Sequence, residues 1–440
     1  MGNKENVTEK IGYKDILKQR EFMKIVSASL INRFGDSIDA IAFTWMVYMI
    51  TKSAAWSALV FAVNQLPSVL VQPFAGAMVE KMNKKRLMVT TDVIRGIITA
   101  GLAVFYLANA LNPWILLLFT LINSTVEAFR LPASLAVVPN ILEERYYEYG
   151  TALNSTLSTV VQLIGLGTAG VVIGALGIGT AIAIDGVSFF GSAFILSLLK
   201  IKEEKPASGT VDPGSVKAGT GEQAEKVSKD KQQIKEYIFI LKDGFVYLKK
   251  QPVIRNFCLL AVLINAIIVP INSLQTPLVQ EVLGQGSGLL SVFSLALTVG
   301  MGIGSFVYPF LSGKFSVRTQ FAGSGVLLGI SMYSYTWGER FQTFTVGIYA
   351  LTIAASFLLG VSCSILTSAL SVQFMKAVDR EYLARVGAIF NAGASAATPA
   401  ASFAGGVLAA FCPVSQIFRL CALLCVIIFL MIGLAKIRLE

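Results

Sequence analysis

Twelve times along its 440 residues the chain runs for about twenty positions with hardly a charge. That length spans the hydrocarbon core of a bilayer as an α-helix, and inside lipid every backbone N–H and C=O must find its partner within the segment. The runs predict spans at 22–50, 55–79, 87–108, 113–137, 151–175 and 180–199, and again at 254–280, 287–311, 319–337, 343–372, 385–410 and 414–435. The expected fold is an all-α integral membrane protein whose twelve transmembrane helices form two pseudo-symmetric six-helix bundles. Only 14% of the residues are charged, against about 25% in a soluble domain, too few to cover a water-facing surface.

Residues 200–250 interrupt the series. "EEKPASGTVDPGSVKAGTGEQAEKVSKDK" is rich in Gly, Ser, Lys and Pro and cannot bury enough apolar area to fold, so it reads as a linker. "QQIKEYIFILKDGFVYLKK" after it is amphipathic and suited to lie along the membrane face. The division is therefore 1–200, a six-helix bundle with a cytoplasmic tail; 201–250, a linker with an amphipathic segment; and 251–440, a second bundle. Basic or charge-rich segments lie in the N-terminal tail, in "EKMNKKR" (80–86), in the linker and in "KAVDREYLAR" (376–385), whereas "LANALNP" (107–113) and "GALGIGT" (174–180) carry no charge. Cytoplasmic loops carry the excess of Lys and Arg, so both termini are expected inside. The same loops account for the net charge of +10 without a nucleic-acid partner.

The halves also echo each other. Pro73-Phe74 and Gly76 end the second span as Pro309-Phe310 and Gly313 end the eighth, and Gly150 and Asn154 open the fifth as Gly387 and Asn391 open the eleventh. The offset is 236 or 237 residues each time. Paired six-helix halves around a midplane site are a design of secondary transporters.

Several chemistries are excluded. The chain has no histidine, which removes histidine metal sites, imidazole relays and Ser-His catalysis. Its five cysteines, Cys258, Cys363, Cys412, Cys421 and Cys425, show no CxxC spacing, so neither a zinc site nor a disulfide framework is indicated. GxxxxGK[ST] is missing, so an ion gradient rather than ATP is the expected energy source. No cofactor and no enzymatic activity are expected. The first twenty residues are polar and Lys-rich, and no cleavable signal peptide is expected.

After the second span comes Gly76-Ala77-Met78-Val79-Glu80-Lys81-Met82-Asn83-Lys84-Lys85-Arg86, with Asp92 and Arg95 following in "TTDVIRG". This resembles the cytoplasmic signature of the major facilitator superfamily, a Gly, then an acid, then a basic cluster. Glu80 stands where that family usually has Asp, Lys81 where it has Arg, and Asn83 where it has a second Gly. "LPASLAVVPNILEERYYEYGTALNS" (131–155), "AIDGVSFFGSAFIL" (183–196) and "DREYLARVGAIFN" (379–391) look like the macrolide-efflux and enterobactin-exporter branch. The resemblance implies a proton-coupled exporter in a bacterial cytoplasmic membrane, working as a monomer with small-molecule substrates, protons and membrane lipid as partners. It departs at the fifth span, where antiporters commonly carry Gly-Pro and this chain has Gly165-Leu166. Gly76, Glu80, Lys81, Lys84, Lys85, Asp92 and Arg95 are candidates for an inside latch; for Lys84, Lys85 and Arg86 the favoured reading is that of topology signals at anionic headgroups.

Ionisable residues inside the membrane cost about 2.5–3.5 kcal/mol each on insertion scales, so they face an interior or a wet cavity. The first span holds Arg33, Asp36 and Asp39, three residues apart and so on one helix face. Arg33 can hold one carboxylate ionised while another loads and releases a proton. The fourth span adds Glu127 and Arg130, with Pro132 to bend it. Asp36, Glu127 and Asp39 are thus the proton-coupling candidates, with Arg33 and Arg130 as supporting charges; structural ion pairs are the alternative for each. Asp185, near the end of the sixth span, reads as a capping or packing residue.

In the seventh span, Asn272 and Gln275 of "VPINSLQTPL" match the depth of Gly35 and Ile38 by the repeat offset. Pro- or Gly-interrupted segments in corresponding positions point to a substrate site. With Trp45, Tyr48, Phe61 and Gln65 they make a candidate cavity for an amphipathic ligand. A drug such as a macrolide, exported in exchange for protons, is the expected cargo. A proton-coupled metabolite or siderophore transporter, or a non-transporting membrane sensor on the same fold, are the alternatives.

Overall fold

The computed structural model describes residues 13–200, 251–340, 342–379 and 382–434, and among them no strand occurs. A short turn at Tyr13–Leu17 leads into α1 (Arg20–Thr51), α2 (Ala54–Leu70), α3 (Gln72–Lys81), α4 (Lys84–Leu107), α5 (Pro113–Val137), α6 (Tyr147–Leu176) and α7 (Ile178–Ser197). Then come α8 (Pro252–Ser273), α9 (Ser287–Ser312), α10 (Val317–Ser334), α11 (Thr345–Ala377), α12 (Leu383–Phe411) and α13 (Val414–Leu434). The linker and the amphipathic segment after it lie outside the described residues.

Among the described residues nine helices are long and apolar enough to cross a membrane, α4 to α9 and α11 to α13. The other three expected spans also fall on helices. Arg33, Asp36 and Asp39 dilute α1, and Arg318, Gln320 and several Ser and Gly dilute α10. The second expected span is two helices, and α2 stops at 17 residues. Pro73 supplies the reason: a proline has no N–H to continue the ladder and crowds the residue before it. The chain breaks at Val71, whose carbonyl then caps α3 by accepting from Phe74 and Ala75.

Local sequence sets the other ends. Asn83 caps α4 by accepting from the Arg86 amide at 2.9 Å, and Asn112 caps α5 from the Ile115 amide at 2.9 Å, with Pro113 next in line. The expected seventh span ends early, α8 closing at Ser273 just beyond Pro270. A short turn, Gln275–Pro277, and a π-helical turn, Leu278–Val282, follow before Gly284 turns the chain at φ 65°. Cations close α7: Lys24 donates to the Leu198 carbonyl at 2.9 Å and Lys85 to the Leu199 carbonyl at 2.7 Å, where the helix dipole favours positive charge. Lys85 thus has a defined structural partner inside the basic cluster.

The chain gathers into two units. The first holds Met1–Lys52, Val63–Glu203 and Gly286–Leu295. In it α1 packs on α6 and α7, α4 packs on α5 and α7, and Gly170 of α6 sits so close to Gly288 and Ser291 that a side chain would collide. The second holds Ser53–Ala62, Glu204–Gln285 and Ala296–Glu440. In it α10 packs on α11 and α13, and α8 on α12, while the Ser402 hydroxyl of α12 donates to the Ala58 carbonyl of α2 at 2.7 Å. Phe257, Phe321, Phe418 and Phe429 are fully buried, yet Trp114, Val171, Phe306 and Phe411 are largely bare, a distribution suited to lipid contact.

Gly325 shows how tightly α10 meets α13. A Cβ placed there would enter the Phe429 ring. Gly325→Ala should therefore destabilise the fold by about 1–3 kcal/mol through overpacking. Thermal unfolding in detergent measures it, and Phe429→Leu in the same chain should return much of the loss.

Candidate functional site

The charged residues of the first unit converge from four helices. Along α1, Asn32, Asp36 and Asp39 follow at steps of three and four, so they share a stripe. Facing it stand Asp92 and Arg95 of α4, Asn123, Glu127 and Arg130 of α5, and Asp185, Ser188 and Ser192 of α7. They sort into two groups.

The first centres on Asp92, which is fully buried. It accepts from Arg130 Nε at 2.7 Å, from the Ser192 hydroxyl at 2.6 Å and from Asn32 Nδ2 at 3.2 Å. Three other helices thus hand donors to one carboxylate of α4. Such a buried, charge-assisted set is how an interior anion becomes tolerable.

The second centres on Arg95, whose side chain is 8% exposed. Its Nη2 lies 3.3 Å from Asp36 Oδ1 and 3.6 Å from Glu127 Oε2. Its Nε donates to Asn123 Oδ1 at 3.3 Å, and its guanidinium lies 4.2 Å from the Phe189 ring centre. The two carboxylates are far more open than the cation: 33% of the Asp36 side chain and 54% of Glu127 are exposed. A buried guanidinium thus serves two carboxylates that the surrounding helices cover less completely than they cover the cation.

This geometry redraws the expected pairs. The ion-pair partner of Asp36 among the described residues is Arg95, and Arg33 is exposed. Arg130 pairs with Asp92 and Glu127 with Arg95, although Glu127 and Arg130 are three residues apart on one helix. Asp92 and Arg95, grouped with the cytoplasmic signature in the sequence, hold partners on α1, α5 and α7. Asp185 is 2% exposed and lies at the α1–α7 contact against Gly35, rather than at a helix end. Its isolation in an apolar helix was the sequence signal for it. Asn32, Asn123, Ser188 and Ser192 carried no comparable signal, being ordinary polar residues in α-helices.

The remaining candidates are placed as follows. Trp45 and Tyr48 are buried, and Phe61 and Gln65 half-buried. Neighbouring Asn64 donates to the Ser124 hydroxyl at 2.9 Å. Asn272 and Gln275 belong to the second unit and are half-buried, with Gln275 Nε2 3.3 Å from the Asn272 carbonyl. Of the latch candidates, Lys84 and Lys85 open α4, and the side chains of Glu80 and Lys81, with Gly76, lie outside the described residues. No group of three or more Cys, Asp and Glu among the described residues is arranged to hold a metal ion.

Comparison with known proteins agrees with this architecture. A family model described as a transmembrane secretion effector, of the major facilitator superfamily, matches residues 15–219. The chain is 24% identical over 381 residues to the MFS-type transporter YkuC of Bacillus subtilis (strain 168), itself uncharacterized, covering 84% of this chain and 81% of that one. It is 22% identical over 324 residues to the multidrug efflux pump Tap of Mycolicibacterium fortuitum, covering 72% and 73%. Its fold is shared with the nucleoside transporter NupG, at a TM-score of 0.71 and 13% identity over 94% of this chain and 100% of that one.

Proposed function

We infer that this chain is a membrane transporter of the major facilitator type and that it exports hydrophobic or amphipathic small molecules across a bacterial cytoplasmic membrane in exchange for protons. The observation that carries this reading is Arg95 shared between Asp36 and Glu127. One guanidinium can fully answer one carboxylate. A proton arriving on either acid releases Arg95 to the other, so protonation re-ties α1, α4 and α5. That is the kind of discrete change that a proton needs in order to bias alternating access, the two halves rocking about a midplane site. Tap, named as a multidrug efflux pump, supports the export direction and the class of cargo.

In this reading α1, the pair α2 and α3, and α10 complete the nine apolar helices to twelve spans, with both termini cytoplasmic and a monomer as the working unit. Trp45, Tyr48, Phe61, Gln65, Asn272 and Gln275 contribute shape and hydrogen bonds to the cargo site. Glu80 and the basic residues after it act at the inside face. The driving force is the proton gradient, worth about 2.3 kcal/mol per charge per 100 mV plus any pH difference.

Everted membrane vesicles given a fluorescent lipophilic cation test the proposal. Wild-type vesicles should accumulate the dye only with a pH gradient, and Asp36→Asn should abolish that dependence. Unchanged gradient-driven accumulation in both Asp36→Asn and Glu127→Gln would overturn the assignment. Accumulation in right-side-out vesicles instead would mark an importer, and dye binding without counterflow would mark a sensor.

A further inference from the structure

The seam between α1 and α7 contains more hydrogen-bond acceptors than donors. Gly35 lets the two helices touch: a Cβ there would land on the Asp185 carboxyl and the Ser188 side chain. Asp39 follows Gly35 by four residues, so it rides on the same face one turn on. Asp185 is 2% exposed, and its side chain has one donor among the described residues, the Ser188 hydroxyl at 3.4 Å. That hydroxyl is also committed to the Asp185 carbonyl at 2.8 Å. Asp39 Oδ1 is buried without a donor. So is Oδ1 of Asn32, a residue 7% exposed that lies one turn to the other side of Gly35 and Asp36.

The buried cation beside this seam, Arg95 of α4, acts on Asp185 and Asp39 through space, but its single charge is shared with the other acids around it. On α4, Arg95 is shared by Asp36 and Glu127, and Asp92 adds negative charge. On α5, Arg130 is bound to Asp92. On α1, Arg33 is exposed. Helix α6, which presents Gly165 to Ser37 of α1, has no charged residue after Glu148. The Ser192 hydroxyl is held by Asp92 at 2.6 Å. A buried carboxylate without a cation of its own or a full set of donors is costly, and a carboxylic acid O–H removes the charge and adds the missing donor.

We propose that Asp185 and Asp39 bind a proton between them, forming a second protonation site beside the one at Arg95. The step is a simple association, one carboxylate taking one proton from water to become a carboxylic acid. Loss of that proton leaves two like charges across the Gly35 contact and works against α1–α7 packing. Its part in transport rests on the export reading; the site itself does not.

Infrared spectroscopy of the protein in liposomes across a pH titration, with no transported compound present, tests it directly. The wild type should show the carbonyl band of a buried carboxylic acid at neutral pH. Asp185→Asn should lose that band and so should Asp39→Asn, while Glu127→Gln keeps it. Asn retains the shape of Asp and offers N–H donors, so the fold should survive, as thermal unfolding can verify. Should Asp185→Asn fail to fold, Asp39→Asn carries the comparison. A band missing from the wild type, or unchanged in the Asn variants, would overturn the proposal. So would its disappearance when sodium replaces potassium, since a metal cation would then be the occupant. A chain that shows the band yet fails the vesicle experiment loses the export reading and keeps this site.

Discussion

Arg130→Ala is expected to destabilise the protein by about 3–5 kcal/mol, the usual cost of removing one member of a buried ion pair. Asp92 is fully buried and receives its shortest cationic contact from Arg130, at 2.7 Å. Without it the donors left to the carboxylate among the described residues are Ser192 and Asn32, neither charged, and Arg95 acts on it only through space. The loss comes from the acid left behind, so removing that acid as well should undo it. Asp92→Leu with Arg130→Met fills similar volume with apolar atoms, and such replacements are often neutral or better. Thermal unfolding in detergent of the two single variants and the double variant decides the matter. A double variant as unstable as Arg130→Ala alone would mean that Arg130 acts by packing its stem rather than by its charge.

Arg95→Ala should leave folding more nearly intact and strike transport. Asp36 and Glu127 then lose the cation that ties them together, and protonation of either no longer changes what α1 and α5 hold. Coupling free energies of about 1–3 kcal/mol correspond to about 5–150-fold in affinity. Gradient-driven accumulation should fall by a factor in that range, with downhill flux of the same dye little changed. Arg95→Lys should fall between the two, because an ammonium keeps the charge but lacks the planar fork that reaches two carboxylates and Asn123 at once. Equal loss of downhill and gradient-driven flux would show that Arg95 shapes the path rather than the coupling.

Hydropathy alone made the helical architecture legible, because the requirement that each span satisfy its own backbone leaves few alternatives. The break at Val71 was less legible, since the run 55–79 stays apolar across it and only Pro73 betrays it. At the site, Asp36 and Glu127 were visible as charges in apolar runs. Their partner was not. Spacing on one helix suggested Arg33 for Asp36 and Arg130 for Glu127, and a three-residue step does allow both. What decides is desolvation: a guanidinium gains more from an acid removed from water, where the effective dielectric is low, than from an exposed one. Arg130 therefore goes to Asp92, fully buried, and leaves Glu127, whose side chain is 54% exposed, to Arg95. Such choices depend on which helices meet, and that is long-range information. Asp185 does pack in the interior, one of the two readings the sequence allowed, but its position along the helix did not say that α1 is what faces it.

The two units do not follow the order of the chain. Val63–Glu203 needs Gly286–Leu295 to complete its unit, and Ala296–Glu440 needs Ser53–Ala62. A split protein cut within 201–250 would therefore give two fragments that each lack a piece carried by the other. Gly170 would lose the Gly288 and Ser291 surface it was shaped for, and Ser402 the Ala58 carbonyl it donates to. The fragments are expected to mature only when made together, which makes the first turns of α2 and α9 the places where quality control could sense that both halves are present.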